Sequence, residues 1–498
     1  MSLAILLAAA AIGRSQDHSS PPAEAGPDFA SLLGMIGVSD DDLADLAAIE
    51  ADIDSRQAAL IGRILYRLEQ LDLDQLDVQA SRSGGEHAER PGETGDFPAG
   101  ALVGYRGTAI SAEKLSLPSG ADPKPATLYR CRIDMAAGGP LVVFSADVPK
   151  AWLTADRAAE MSEPVALRGV LLRSASDAAS EPAVVLTNRF QWFPNKGVPA
   201  GTLWLASRGF DAALLDDVRQ GRPLAKPDES REAAAFYRML DELAAASPKE
   251  LTHLACEAVA EAAANWASRA KSAGREADRL ADRLKTSSGE DREALQRRAA
   301  ALRREQSMAA NVAERAEHGL SSVWPMFLEP EESAGQFFVI EGVARRAVRI
   351  LADQPLAGLT HYYELDVFPP DSQNLPVVCC VARLPRGFPT GDVIREPVQV
   401  AGVFFKRWAY ARRPGADSTS DRRLPARLAP PLVLAAEPVW LPRAAPGDAG
   451  RGLWAGAMLL VAIGVSGLLF ARRARRDRLA RRQRARYDAP LDDLARLP

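Results

Sequence analysis

The chain has 498 residues, with 61 Lys and Arg against 65 Asp and Glu, 47% hydrophobic residues and four cysteines. This length and apolar content allow two to four domains with real cores, while so few cysteines exclude a disulfide-framed scaffold. The net charge of −4 is uneven: eleven Arg against four Asp in residues 451–498 leave −11 on residues 1–450, a poor match for a phosphate backbone, so nucleic-acid binding is not expected.

In chain order, Leu3 to Ile12 is a short apolar run followed by a polar stretch, and residues 1–13 are read as a signal peptide although no Lys or Arg precedes the run. Residues 39–75 are expected to form an amphipathic helix. Leu43, Leu46, Ile49, Ile53, Leu60, Ile64 and Leu68 recur at helical spacing, and Asp40 to Asp42 suit its positive end. Residues 81–100 form a Gly- and charge-rich linker. Residues 101–205 read as a first β domain. Residues 228–320 read as helical, with Phe236, Met239 and Leu240 turned inward on a first helix. A seam then runs through Leu251, Ala255, Val259, Ala262, Trp266, Ala270, Ala273, Ala277, Leu280 and Leu284. After a break at Ser287–Asp291 it returns through Leu295, Ala299, Leu302, Ala309, Val312 and Ala316. That pattern predicts an antiparallel, coiled-coil-like hairpin of roughly 50 Å, from about 34 residues at 1.5 Å each. A plain spacer and a partner-binding or dimerising arm both fit such a seam.

Residues 336–443 form a second β domain that repeats the first. Glu163 to Leu172 (EPVALRGVLL) recurs as Glu396 to Phe405 (EPVQVAGVFF), and Tyr129–Asp134 resembles His361–Asp366. Pro140–Phe144 parallels Pro376–Cys380, and Ala183–Leu186 leading to Trp192 parallels Pro431–Leu434 leading to Trp440. Corresponding blocks in one order indicate a duplication. The fold class expected is therefore α+β: two repeated five-stranded β-barrels, with short connectors at Lys150–Met161 and Arg386–Ile394 before the fourth strand. The strand count and order resemble an OB-like barrel, and an SH3-like barrel or a small sandwich would give nearly the same pattern.

Residues 452–471 are twenty uncharged, mostly apolar positions, long enough for a transmembrane helix, and nine arginines between Arg472 and Arg486 follow. Residues 472–498 would then be cytoplasmic and the bulk of the chain extracytoplasmic.

The segment Phe404-Phe405-Lys406-Arg407-Trp408-Ala409-Tyr410, set among these strands, resembles that of uncharacterised exported single-pass membrane proteins of planctomycete-type bacteria. The likeness spans most of residues 1–450 and implies no activity. Strand alternation places Phe404, Lys406, Trp408 and Tyr410 on one face, a candidate binding surface where aromatic rings and cations could stack a sugar or peptide.

Catalytic signatures are missing. There is no GxSxG elbow, phosphate-binding Gly-Lys loop, HExxH or GxGxxG with an acidic partner. Asp134 and Asp366 recur but belong to different barrels, and a post-strand turn accounts for them. Cys379 and Cys380 lie in an apolar strand, and the five histidines match no zinc spacing. No catalytic residue, metal or cofactor is expected. The reading is an envelope membrane protein, not an enzyme, that binds or braces another envelope protein. The alternative is an extracytoplasmic oligosaccharide- or peptide-binding module using the four residues named. The oligomeric state is open.

Overall fold

A computed structural model describes residues 29–50, 52–70, 97–118, 125–135, 139–154, 161–175, 181–226, 230–286, 288–352, 359–411 and 427–441, with Ser466, Arg472, Arg473, Arg475, Arg476 and Arg478. The expected signal peptide and most of the expected span and tail lie outside these residues. Among the described residues no helix is long and apolar enough to cross a membrane.

Three helices lead: α1 (Phe29–Met35), α2 (Asp40–Ala47) and α3 (Ser55–Glu69). All seven apolar residues of the expected amphipathic face are buried. The single helix expected over 39–75 is instead two. Reciprocal capping boxes start both: Ser39 with Asp42, and Asp54 with Gln57. The break spans Ala48–Asp54, between the C-cap of α2 and the N-cap of α3, and holds the buried Ile49 and Ile53.

The first sheet contains β1 (Leu102–Lys114), β2 (Tyr129–Asp134), β3 (Leu141–Ser145), β4 (Glu163–Arg173), β5 (Ala183–Thr187) and β6 (Phe190–Trp192). Five of these close a ring in the order β1-β2-β3-β5-β4, and β4 returns to β1. Every pairing in the ring is antiparallel except the parallel β3–β5. The second sheet has β7 (Phe337–Leu351), β8 (His361–Phe368), β9 (Val377–Val381), β10 (Glu396–Arg407) and β13 (Pro431–Ala435), with β11 (Tyr410–Ala411) and β12 (Arg427–Leu428) as a separate ribbon. It closes the same way, β7-β8-β9-β13-β10, with β9–β13 parallel.

The duplication holds residue by residue. Leu141, Val143, Val165, Leu167, Leu171 and Val185 fill the first barrel, and their counterparts Val377, Cys379, Val398, Val400, Phe404 and Val433 fill the second. Both barrels bulge at matching points, between Ala109 and Ser111 and between Ala344 and Arg346. A second bulge falls between Leu171 and Arg173 and again between Phe404 and Lys406. At Gly169 and Gly402 a Cβ would run into the carbonyl oxygens of Leu186 and Leu434, so only glycine lets these strands cross. A 3-10 turn at Lys150–Leu153 plugs the first barrel with Trp152, its ring 5.3 Å from Phe190, and buried Phe388 joins the core of the second.

Each barrel's outer apolar face is covered by a different set of helices. The N-terminal helices pack on Val142, Phe144, Val170, Leu172, Val184 and Leu186. Helices α4 (Ala200–Ser207), α5 (Glu232–Ala245) and the start of α6 (Pro248–Leu284) pack on the counterparts Val378, Cys380, Val403, Phe405, Leu432 and Leu434. Each large side chain so buried contributes about 1.5–3 kcal/mol. Residues 200–205, grouped with the first β domain in the sequence reading, thus belong to the helical cover of the second barrel: Gly201 lies against Gly335 and Val403.

Helix α7 (Gly289–Glu317) returns along α6. The pairs Arg269–Glu305 and Glu276–Arg298 fix the antiparallel sense, because one number rises as the other falls. Most of the expected α6 seam is buried, but Ala262, Trp266 and Leu284 are only half-buried, and Ala263 is buried instead. Short helices α8 (Trp324–Leu328) and α9 (Pro330–Ser333) lead into the second barrel.

Candidate functional site

Two of the four residues singled out in the sequence, Phe404 and Lys406, are enclosed. Phe404 is 0% exposed inside the second barrel, 6.0 Å from the Phe338 ring. Lys406 is also 0% exposed. The cause is the bulge at Phe405, which breaks the alternation and turns both Phe405 and Lys406 toward the helical cover. Trp408 is half-buried against the same cover, its backbone N–H donating to the Pro430 carbonyl at 2.8 Å. The side chain of Tyr410 lies outside the described residues.

Burying a lysine demands a partner, and Glu232, in the first turn of α5, supplies it. Lys406 Nζ donates to Glu232 Oε1 at 2.5 Å, and the Pro223 carbonyl accepts from the same ammonium at 3.4 Å. Glu232 also accepts from the backbone N–H of Arg219 at 3.1 Å and of Ala225 at 2.9 Å. Burial pushes the Lys406 ammonium below its ordinary value, and the Glu232 carboxylate opposes that shift.

The preceding residue faces the other way. Arg231 Nε donates to Asp217 at 2.6 Å, and its guanidinium lies 3.6 Å from Asp147, which follows β3 of the first barrel. Beside it, Lys150 donates through its backbone N–H to Asp216 at 2.9 Å. Asp211 accepts from the N–H groups of Trp192 at 2.9 Å and Ala213 at 3.0 Å. Burial raises the Asp211 carboxyl, while those two bonds pull it down. Burial, with Arg231 nearby, pushes Arg189 down to about 10, where it still carries its charge at neutral pH. The first turn of α5 is therefore a joint: Arg231 binds the first barrel's side and Glu232 the second's. Lys406 and Glu232 are bonded and withdrawn from solvent, whereas Arg231, Asp217 and Asp147 are partly to largely exposed.

The two recurring aspartates stand in separate barrels. Asp366 pairs in register with Arg346, which also bonds Glu364 and, at 3.3 Å, Asp392. Burial raises the Asp366 carboxyl, with Arg346 opposing. Cys131, Cys379 and Cys380 are buried free thiols, and burial pushes Cys131 up to about 12. Among the described residues no group of three His, Cys, Asp or Glu could hold a metal ion. Trp192 is 4% exposed and its indole N–H donates to Glu163 at 2.8 Å, whereas Trp440 is 39% exposed.

No local pattern links Lys406 to Glu232, which stand 174 residues apart. The one available signal was a lysine inside the apolar run VFFK. Comparisons with protein families, curated proteins and solved structures find no match for this chain.

Proposed function

We propose that the chain is a single-pass envelope membrane protein whose body, outside the cytoplasm, is a non-enzymatic scaffold that binds or braces another envelope protein. The barrels are OB-like on this reading. Supporting that name are the ring order 1-2-3-5-4, the parallel pairing of third and fifth strands, and the short plug before the fourth. Fold alone selects no ligand.

The observation that carries the scaffold reading is the joint at Arg231 and Glu232. One helix start thereby reaches both barrels: Glu232 holds buried Lys406 of the second, and the partly exposed Arg231 pairs with Asp217 and with Asp147 after β3 of the first, which supports a brace. The oligosaccharide or peptide alternative is not favoured, because Phe404 and Lys406 are enclosed. Anchoring rests on the apolar stretch 452–471 and the arginines after it.

Protease treatment of intact cells, combined with crosslinking and recovery of the full-length chain, tests this. Digestion of the body together with one specific crosslinked envelope protein is the expected result. Full protection of the body, or recovery without any partner, would overturn it.

A further inference from the structure

Charge is segregated within this chain. Between Arg269 and Glu305 the hairpin has eleven Lys and Arg against seven Asp and Glu, while the remainder of residues 1–450 carries −15. Arg269, Lys285, Arg298 and Arg303 are paired with carboxylates. Lys271, Arg275, Arg279, Arg292, Arg297 and Arg304 are exposed and make no ion pair among the described residues. The first three stand four apart and form one stripe on α6.

A surface of net opposite sign lies on the N-terminal cover of the first barrel, its acids in residues 39–54, while Arg56, Arg63 and Arg67 of α3 are exposed beside them in sequence. Asp40, Asp41, Asp45, Glu50, Asp52 and Asp54 make no ion pair among the described residues, and only Asp42 is paired, with Arg56. All but Asp45 are exposed.

Among the described residues no ion pair joins the hairpin to that surface. α6 is unbroken, and its last residue in the core shared with the second barrel is Ala263. The helix continues to Leu284, about 30 Å further at 1.5 Å per residue. Beyond Arg269 the ion pairs of the arm are internal to the hairpin.

We infer that the basic arm of one copy docks on the acidic helical cover of a second copy. The interleaved carboxylates of the arm favour a mixed-charge protein surface over a uniformly anionic polymer, and the matching surface is carried by the chain itself. Such a contact is electrostatically steered and screened by salt. It goes beyond the scaffold reading, which needs a different protein and would stand if this chain were monomeric.

The test is sedimentation of the full-length chain in nonionic detergent, alone and as charge-reversal variants. The wild type should self-associate at about 50 mM salt and weaken at least ~10-fold at about 500 mM. An arm variant (Lys271→Glu, Arg275→Glu, Arg279→Glu) and a cover variant (Asp41→Lys, Glu50→Lys, Asp52→Lys) should each fail to associate alone. Mixed together they should associate, because each retains the surface the other lacks. Both sets in one chain should also restore association, and unchanged circular dichroism would show that the variants fold. A monomeric wild type, association indifferent to the reversals, or a mixture that stays apart would overturn the inference. So would a monomeric wild type that binds phosphatidylglycerol vesicles through the arm, since the contact would then be with lipid.

Discussion

Lys406 and Glu232, 0% and 2% exposed at their side chains, have no water to fall back on. Removing one partner strands the other's charge, so Lys406→Ala is expected to cost about 3–5 kcal/mol in urea unfolding. The double variant Lys406→Met, Glu232→Gln should cost less than Lys406→Ala alone, because no buried charge remains. The thiols offer a pH test. Cys131 is raised from near 9 to about 12, so its contribution to stability is complete below pH 9 and is lost as pH climbs to 12. Unfolding free energy should fall across that window, and less steeply in Cys131→Ala. At this scale the sequence placed the cysteines well: apolar burial was the reading of PVVCC, and both thiols are 0–1% exposed. It misplaced Lys406, because one bulge residue reverses every later assignment of face.

Among the elements, two kinds of glycine respond oppositely to alanine. At Gly169 and Gly402 the added methyl meets a neighbouring strand's backbone, which cannot yield. Each substitution should cost about 1–3 kcal/mol, as overpacking does, read as a lowered denaturant midpoint. Gly274 is buried in α6, where a Cβ meets only the amide end of Gln306 at 2.6 Å. That side chain can swing aside, so Gly274→Ala should gain up to about 1 kcal/mol from helix propensity. The strands were legible because apolar alternation and the repeat reinforced each other. The split of the first amphipathic helix was not, since both halves bury one continuous face and only Asp54 with Gln57 marks the restart.

Taken whole, the molecule separates a braced double barrel from a protruding arm. Replacing residues 268–306 by a short Gly-Ser turn should leave the thermal unfolding of the barrels in place while abolishing salt-sensitive self-association. Loss of the barrels' transition would show instead that the distal hairpin supports the core, for instance through Arg269 and Glu329. The sequence by itself determined the duplication, the strand positions and the hairpin, because these follow from short-range periodicity and from one half of the chain read against the other. Only the tertiary structure decided which faces are surfaces. Which helices cover a barrel, where a bulge turns a lysine inward, and which carboxylate waits 174 residues away depend on contacts between distant segments, and no local pattern encodes them.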